Sequence, residues 1–291
     1  MSYGMPPAEP AAPPVCPRHP DRVSYVRCQR CGRPACPECQ RPAAVGIQCI
    51  DCVREVAALA PRGRYGGTLR RSGQPLVTWS IIGACVLVYL LEWLLPNDAV
   101  FQDFAYATVF TGVEPWRMLT SAFLHSQSFI LHIGLNMYTL WIFGRVLEPA
   151  LGRWRYLLVY LISALGGSVG FFLLTPVSMT AVIGASGAIF GLFGALFVVV
   201  RQRGGSVGQL LVLIAINAVL GFVVPGIAWQ AHLGGLVTGG LTTAVIAYAP
   251  RGRYQLAVQI AGMAAVVALL VIVTAVRVAG LGLAQPSSIG S

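Results

Sequence analysis

The sequence predicts an all-α, multi-pass membrane protein preceded by a small zinc-stabilised domain, and three observations carry that expectation. Of the 291 residues, 56% are hydrophobic and only 10% are charged, against roughly 25% charged in an ordinary soluble domain. Seven apolar stretches come close to or reach the length of ~20 residues that a helix needs to cross hydrocarbon. Seven of the eight cysteines fall between Cys16 and Cys52. A soluble enzyme is excluded by the first two counts. The 20 basic residues, all Arg, exceed the 10 acidic ones, but nucleic-acid binding would need them gathered on one face. From Leu76 onward they sit singly or in pairs between apolar runs, and no acidic residue follows Glu148. The last 143 residues therefore supply no aspartate dyad, no third member of a Ser/His/Asp triad and no carboxylate Mg²⁺ site.

Taken in order, residues 1–15 are rich in Pro and Ala and have neither a basic n-region nor an apolar h-region. They are expected to be a disordered leader and not a cleaved secretory signal. Residues 16–52 form the Cys-rich module. Residues 53–75 are a linker with Arg62, Arg64, Arg70 and Arg71 among glycines, the composition of a cytoplasmic approach to a bilayer. The expected spans are Leu76–Leu95, Phe129–Leu147, Tyr156–Leu174, Ile183–Val200, Gln209–Val224, Trp229–Ala249 and Leu256–Val276. Six of them lie within residues 76–250, and residues 251–291 hold the seventh and a tail. Arg in short loops stays on the cytoplasmic side. The four Arg before the first span, Arg153 and Arg155 after the second, Arg201 and Arg203 after the fourth, and Arg251 and Arg253 after the sixth alternate accordingly. The N-terminus is thus expected in the cytoplasm, with Arg117 the one outer-side exception. Its connection, Pro96 to Ser128, is too long for a plain turn, and Trp116 with several apolar residues suits the membrane interface.

In the module, Cys16-x2-His19, Cys28-x2-Cys31, Cys36-x2-Cys39 and Cys49-x2-Cys52 make four ligand pairs. Two tetrahedral Zn²⁺ ions would use all eight ligands. A disulfide framework is the alternative, but a cytoplasmic module keeps its thiols reduced. The few apolar residues cannot sustain a core, so the metal supplies the folding free energy. The spacing resembles B-box and related treble-clef zinc modules. That resemblance implies Cys16, His19, Cys36 and Cys39 for one ion and Cys28, Cys31, Cys49 and Cys52 for the other, while the spacing itself leaves sequential pairing open. With no ligand position left for water, both ions are structural, and the module is expected to meet a cytoplasmic protein or sense a signal. Its Arg residues are interspersed with Asp21, Glu38 and Asp51, which argues against DNA. Cys85, in the first span, reads as a small buried apolar residue.

Polar groups inside a membrane are candidate functional sites because desolvating them is costly. Four stand out: His132 and Asn136 in the second span, Ser186 in the fourth and His232 in the sixth. His132 and Asn136 lie four apart and so on one helical face. Ser186 sits in Gly184-Ala185-Ser186-Gly187, where small neighbours leave its hydroxyl open. Each has a plain structural reading too: a serine bonded to its own backbone, or a His or Asn joining two helices. The small-residue rows Gly187, Gly191, Ala195 and Ala231, Gly235, Gly239 are packing seams first. Two such seams let the fourth and sixth helices approach closely, which would bring Ser186 within reach of His232.

Together, Glu114-Pro115-Trp116-Arg117, Phe123-Leu124-His125, His132-x3-Asn136, Gly184-Ala185-Ser186-Gly187 and Ala231-His232-Leu233-Gly234-Gly235 resemble the rhomboid family of intramembrane serine proteases, in order, across residues 76–250. The resemblance implies a six-helix bundle to which the seventh helix is appended. It implies Ser186 as nucleophile, His232 as general base, and His132, Asn136 and the Ser186 N–H as the oxyanion hole. Trp116 and Arg117 would belong to a structural first loop, and Phe190 would lay its ring on the catalytic histidine. The His125 to His132 interval is longer than the family's usual. The implied activity is endoproteolysis of transmembrane segments in other membrane proteins, with no cofactor for catalysis, at a plasma-membrane site opening to the extracytoplasmic side. The physical reading agrees with it: a serine hydroxyl needs a base, neutral His supplies one, and ring stacking can orient that base where no carboxylate is available. A catalytically silent relative that binds membrane clients, and a transporter relaying protons through His132 and His232, are the alternatives. The transporter would want intramembrane carboxylates, and Glu92 and Glu148 lie only near span ends.

Overall fold

A computed structural model describes residues 12–43, 45–59, 64–65, 74–175 and 177–283. Residues 1–11 of the expected leader, residues 60–63 and 66–73 of the linker with Arg62, Arg70 and Arg71, and the tail 284–291 lie outside the described residues. The chain divides into two units, Met1–Pro61 and Arg62–Ser291.

In the first unit, β1 (Val15–Cys16) pairs antiparallel with β2 (His19–Val23), and β3 (Gln40–Pro42) with β4 (Ile47–Cys49), ahead of helix α1 (Ile50–Leu59). Its buried cluster is Cys16, Cys28, Ala35, Cys36, Cys39, Cys49 and Cys52, with Ile50 packed against it. Such a core buries almost no aliphatic surface, so something other than the hydrophobic effect must hold it together.

In the second unit, α2 (Leu76–Leu94) is followed by a long connection containing α3 (Ala99–Phe104) and α4 (Arg117–Thr120). Then come α5 (Ile130–Leu151), α6 (Arg153–Leu174), α7 (Ser186–Gln202), α8 (Gly208–Val223), α9 (Trp229–Tyr248) and α10 (Gln255–Gly280). A helix forms over each of the seven expected spans. Four of them, α2, α5, α6 and α10, are long and apolar enough to cross a membrane by themselves. Helix α7 has 17 residues and is therefore about 26 Å long, short of the ~30 Å hydrocarbon layer. It is compensated by burial, since Gly187 through Ala195 are all covered by neighbouring helices.

Small residues set that burial. A Cβ at Gly235 of α9 would overlap the Gly187 carbonyl oxygen of α7, one at Gly239 would overlap Gly191, and one at Gly170 of α6 would lie 2.7 Å from the Gly234 Cα. Helices α6, α7 and α9 thus pack backbone to backbone, as small-residue seams in membrane helices allow. The other helices surround them. Glu148 of α5, itself buried, accepts the N–H groups of Val77 and Thr78 at 3.0 and 2.9 Å and the Thr78 hydroxyl at 2.8 Å. A carboxylate there satisfies orphan donors at the start of α2 and complements its dipole. Helix α10 is fixed near its start by Gln259, which accepts from Arg155 Nε at 2.8 Å and donates to the Ile246 carbonyl at 3.0 Å. Tyr65, a described residue of the linker, is buried in the same region and donates its hydroxyl to Gln202 at 2.8 Å.

The connection from Pro96 to Ser128 is held from within. The Arg117 guanidinium is buried, bonds Glu114 and the Gln102 and Ala105 carbonyls, and lies 4.5 Å from the Phe110 ring centroid. Trp116 is exposed. Arg117 is therefore an internal clamp of this connection, which explains a cation outside the alternating loop pattern.

Candidate active site and metal centres

Three of the four pairs occupy tight turns, and the fourth joins the end of β4 (Cys49) to the first turn of α1 (Cys52). Gly32 N–H bonds the Cys28 carbonyl at 2.8 Å with Gly32 at φ +71°, and Cys39 N–H bonds the Cys36 carbonyl at 2.8 Å. Cys16 and His19 face one another across the β1–β2 hairpin. The eight side chains gather as Cys16, His19, Cys36, Cys39 and as Cys28, Cys31, Cys49, Cys52, with the ligand atoms of each group within 4.8 Å of one another. This is the interleaved arrangement, first pair with third and second with fourth; the sequential one does not form.

Around a tetrahedral Zn²⁺ with Zn–S ≈ 2.3 Å and Zn–N ≈ 2.0 Å, neighbouring ligand atoms stand about 3.5–3.8 Å apart. His19 Nδ1 lies 4.0, 3.2 and 3.5 Å from the sulfurs of Cys16, Cys36 and Cys39, and Cys31 Sγ lies 3.7 Å from Cys49 Sγ. The donor set and spacing fit a metal ion at each group. All three sulfur contacts of His19 are to Nδ1, while its Nε2 is 3.9 Å from Glu38, a carboxylate placed to orient the ring. The N–H of Cys36 leads the bonds that bring the Cys16 thiol down to about 6. Burial opposes the same change at Cys28, yet the N–H groups of Cys49, Cys31 and Arg30 bring it to about 6 as well. Burial pushes the Cys39 thiol up to about 11 and Cys52 up to about 12; a bound cation would reverse that.

The second site starts from a turn. Gly184 has φ +119°, which only glycine adopts without strain, and its N–H bonds the Ser121 carbonyl at 2.9 Å. Two residues earlier Val182 pairs with Tyr106 of the long connection. The chain then enters α7 at Ser186, so the Ser186 N–H is one of the free donors at a helix start. On α9, His232 lies one turn before Gly235, at the close α7–α9 contact. His232 Nε2 is 2.9 Å from Ser186 Oγ. The Phe190 ring, one turn along α7, stacks on the imidazole with centroids 4.1 Å apart and planes 8° from parallel. For Nε2 to accept from the serine, Nδ1 must carry the hydrogen, and Nδ1 has no hydrogen-bond partner among the described residues. The pair has an aromatic ring stacked on its imidazole and, among the described residues, no carboxylate bonded to Nδ1. Gly187 and Gly235 supply closeness and Gly184 the turn.

His132 reaches the same place from α5. Its Nδ1 accepts the Ser126 N–H at 3.1 Å, so a neutral ring carries its hydrogen on Nε2. That Nε2 faces Gly184: a Cβ built there would sit 2.7 Å from it. Asn136, buried one turn further, donates Nδ2 to the His132 carbonyl at 2.7 Å, and no bond between it and Ser186 forms among the described residues. The structure thus joins Ser186, His232 and Phe190, brings His132 beside the turn before Ser186, and leaves Asn136 engaged with its own helix. Trp116 and Arg117 stay in the long connection. Sequence reasoning missed the Ser126 N–H and the Glu148 cap of α2; no spacing pairs residues 70 positions apart, and a backbone donor leaves no residue signature.

The model of the rhomboid domain matches residues 113–249. Rhomboid protease GluP of Bacillus subtilis (strain 168) is 35% identical over 227 residues, which cover 75% of this chain and 42% of that protein. The rhomboid-family protein YdcA of the same organism is 35% identical over 187 residues, 62% of this chain and 92% of YdcA. RHOMBOID-like protein 6, mitochondrial, of Arabidopsis thaliana is 34% identical over 154 residues, 50% of this chain and 48% of that protein. The chain therefore spans less than half the length of GluP and of the Arabidopsis protein, and nearly all of YdcA.

Proposed function

The chain belongs to the rhomboid family, and from that premise we propose that it is an intramembrane serine endopeptidase with Ser186 as nucleophile and His232 as general base. The observation that carries the reading is the 2.9 Å approach of His232 Nε2 to Ser186 Oγ under the stacked Phe190 ring.

In the first step, His232 takes the hydroxyl proton as Oγ bonds to the scissile carbonyl carbon. The developing oxyanion needs donors fixed beforehand. The Ser186 N–H and His132 Nε2–H supply two, and Asn136 Nδ2 becomes a third by turning from the His132 carbonyl. Losing one such donor costs on the order of 10²-fold or more in rate. The imidazolium then returns its proton to the leaving amine, which departs and leaves an acyl-serine. Water, deprotonated by the same histidine, adds to the acyl carbon, and the carboxylic product leaves as Oγ recovers the proton. Phe190 holds the ring plane that a carboxylate would otherwise fix.

Substrates are transmembrane segments of other membrane proteins, delivered through the bilayer. The alternating loop Arg residues support a plasma-membrane topology with the N-terminal module in the cytoplasm and the site opening to the extracytoplasmic face. The two metal groups hold Zn²⁺, because three- and four-thiolate sets with closed tetrahedral spacing suit that ion. Both ions are structural, and the surface they stabilise is offered to a cytoplasmic protein.

The test is coexpression of a single-span reporter with the wild type or with Ser186→Ala. Cleavage is expected from the wild type alone, and undiminished cleavage by the variant would sink the assignment.

A further inference from the structure

Residues 125–129 connect the last turn of the long connection to α5, and their backbone does something specific: the Ser126 N–H is the donor that fixes His132 Nδ1, at 3.1 Å. Which ring nitrogen of a histidine carries the hydrogen is set by the bond the other makes. With Nδ1 accepting, Nε2–H points at the Gly184 turn, beside the nucleophile. The direction of an oxyanion donor therefore depends on where this loop sits.

Helix α2 holds the loop. Gln127 Nε2 donates to the Tyr89 carbonyl and to Glu92 Oε2, each at 3.3 Å. Glu92 and Glu148 are the only acidic side chains on the seven long helices. Glu148 caps the start of α2, so its place there is explained by backbone donors. Glu92, in the last turn of α2, has loop 125–127 as its partner. A carboxylate suits that place, because it accepts from the Gln127 amide.

We propose that Glu92 is a positioning residue for the oxyanion hole: by anchoring Gln127, it holds the Ser126 N–H on His132 Nδ1 and so keeps His132 Nε2–H aimed at the reacting carbonyl. The inference rests on the reading of Ser186 as nucleophile. Glu92 touches neither substrate nor dyad and acts only through the loop.

The test uses the full chain in liposomes with a single-span fluorogenic substrate. Glu92→Leu leaves Gln127 Nε2 with the Tyr89 carbonyl as its one remaining acceptor on α2. It is expected to lower kcat by about tenfold or more, toward the ~10²-fold loss that removal of an oxyanion donor costs, with KM unchanged. Glu92→Gln, whose amide oxygen still accepts, should restore most of kcat. Ser126→Pro removes the N–H and should fall with Glu92→Leu. Thermal unfolding of each variant separates positioning from folding, and Gln127→Leu serves in place of Glu92→Leu if the latter does not fold. A wild-type kcat in folded Glu92→Leu, or equal losses in Glu92→Gln and Glu92→Leu, would overturn the proposal. Undiminished cleavage by Ser186→Ala overturns the nucleophile and this inference together; a dead Ser186→Ala beside an unaltered Glu92→Leu overturns the role of Glu92 alone.

Discussion

Gly235→Ala is the sharpest single perturbation of the α7–α9 contact. Its added Cβ would overlap the Gly187 carbonyl oxygen, and real Cβ contacts essentially never fall under 3.0 Å. The two helices must then part by roughly 1 Å at this level, since backbone on both sides leaves no side chain to yield. His232 lies one turn before Gly235, and Ser186 one residue before Gly187. A parting of that size stretches the 2.9 Å Ser186–His232 contact to about 3.9 Å, beyond a hydrogen bond. Misplacement on this scale costs on the order of 10²-fold in rate, while overpacking lowers stability by about 1–3 kcal/mol. Gly167→Ala is the control in the same bundle. There the nearest atoms are the Ala231 oxygen at 3.0 Å and the Gly187 Cα at 3.4 Å, so a shift of a few tenths of an ångström suffices. The assay is kcat on a single-span substrate, with the unfolding temperature measured on the same preparations. A folded Gly235→Ala that cleaves within about twofold of wild type would refute the argument that close backbone packing sets the dyad distance.

Phe190→Ala should lower kcat several-fold, because an aromatic stack contributes about 0.5–1.5 kcal/mol, and Phe190→Tyr should retain activity; equal rates in all three would remove the ring from the account. Glu148→Gln weakens charge-assisted bonds to Val77 and Thr78, so a stability loss of about 1.5–3 kcal/mol is expected in thermal melts, with kcat of the folded fraction unchanged. Metal analysis of the full chain should find two Zn²⁺, and Cys52→Ser should release one, the ion of the Cys28, Cys31, Cys49 group; loss of neither would contradict the interleaved ligand sets. A chain starting at Arg62 should cleave as the full chain does. One starting at Leu76 also loses the buried Tyr65 and its bonds to Gln202 and Gln259, and should be less stable by about 3–5 kcal/mol, as for deletion of a buried aromatic; identical melts for the two would show that Tyr65 bears no load.

Apolar length was enough to find every long helix among the described residues, because that length follows from the bilayer itself. The rows through Gly187 and Gly235 announced a close helix pair, and the 2.9 Å contact follows from it. Other features depend on geometry that residue spacing does not encode. Four Cys/His pairs are compatible with interleaved or sequential ligand sets, and the fold of two hairpins decides between them. Asn136 shares a helical face with His132, yet its amide finds a nearer partner in the carbonyl one turn back, a competition that any Asn inside a helix meets. Arg117 read as an outward exception to the charge pattern, whereas it is neutralised within its own connection by Glu114 and backbone carbonyls. Tyr65 falls within the expected linker, yet it is buried and bonded to Gln202 and Gln259.

The central claim is that Ser186 is a nucleophile activated by His232. The most direct measurement is covalent labelling of the full-length protein with a fluorophosphonate, the modified residue being located by peptide mass spectrometry. The expected result is a single adduct on Ser186, absent in Ser186→Ala and strongly slowed in His232→Ala; an adduct elsewhere, or one on Ser186 that forms as fast without His232, would contradict it.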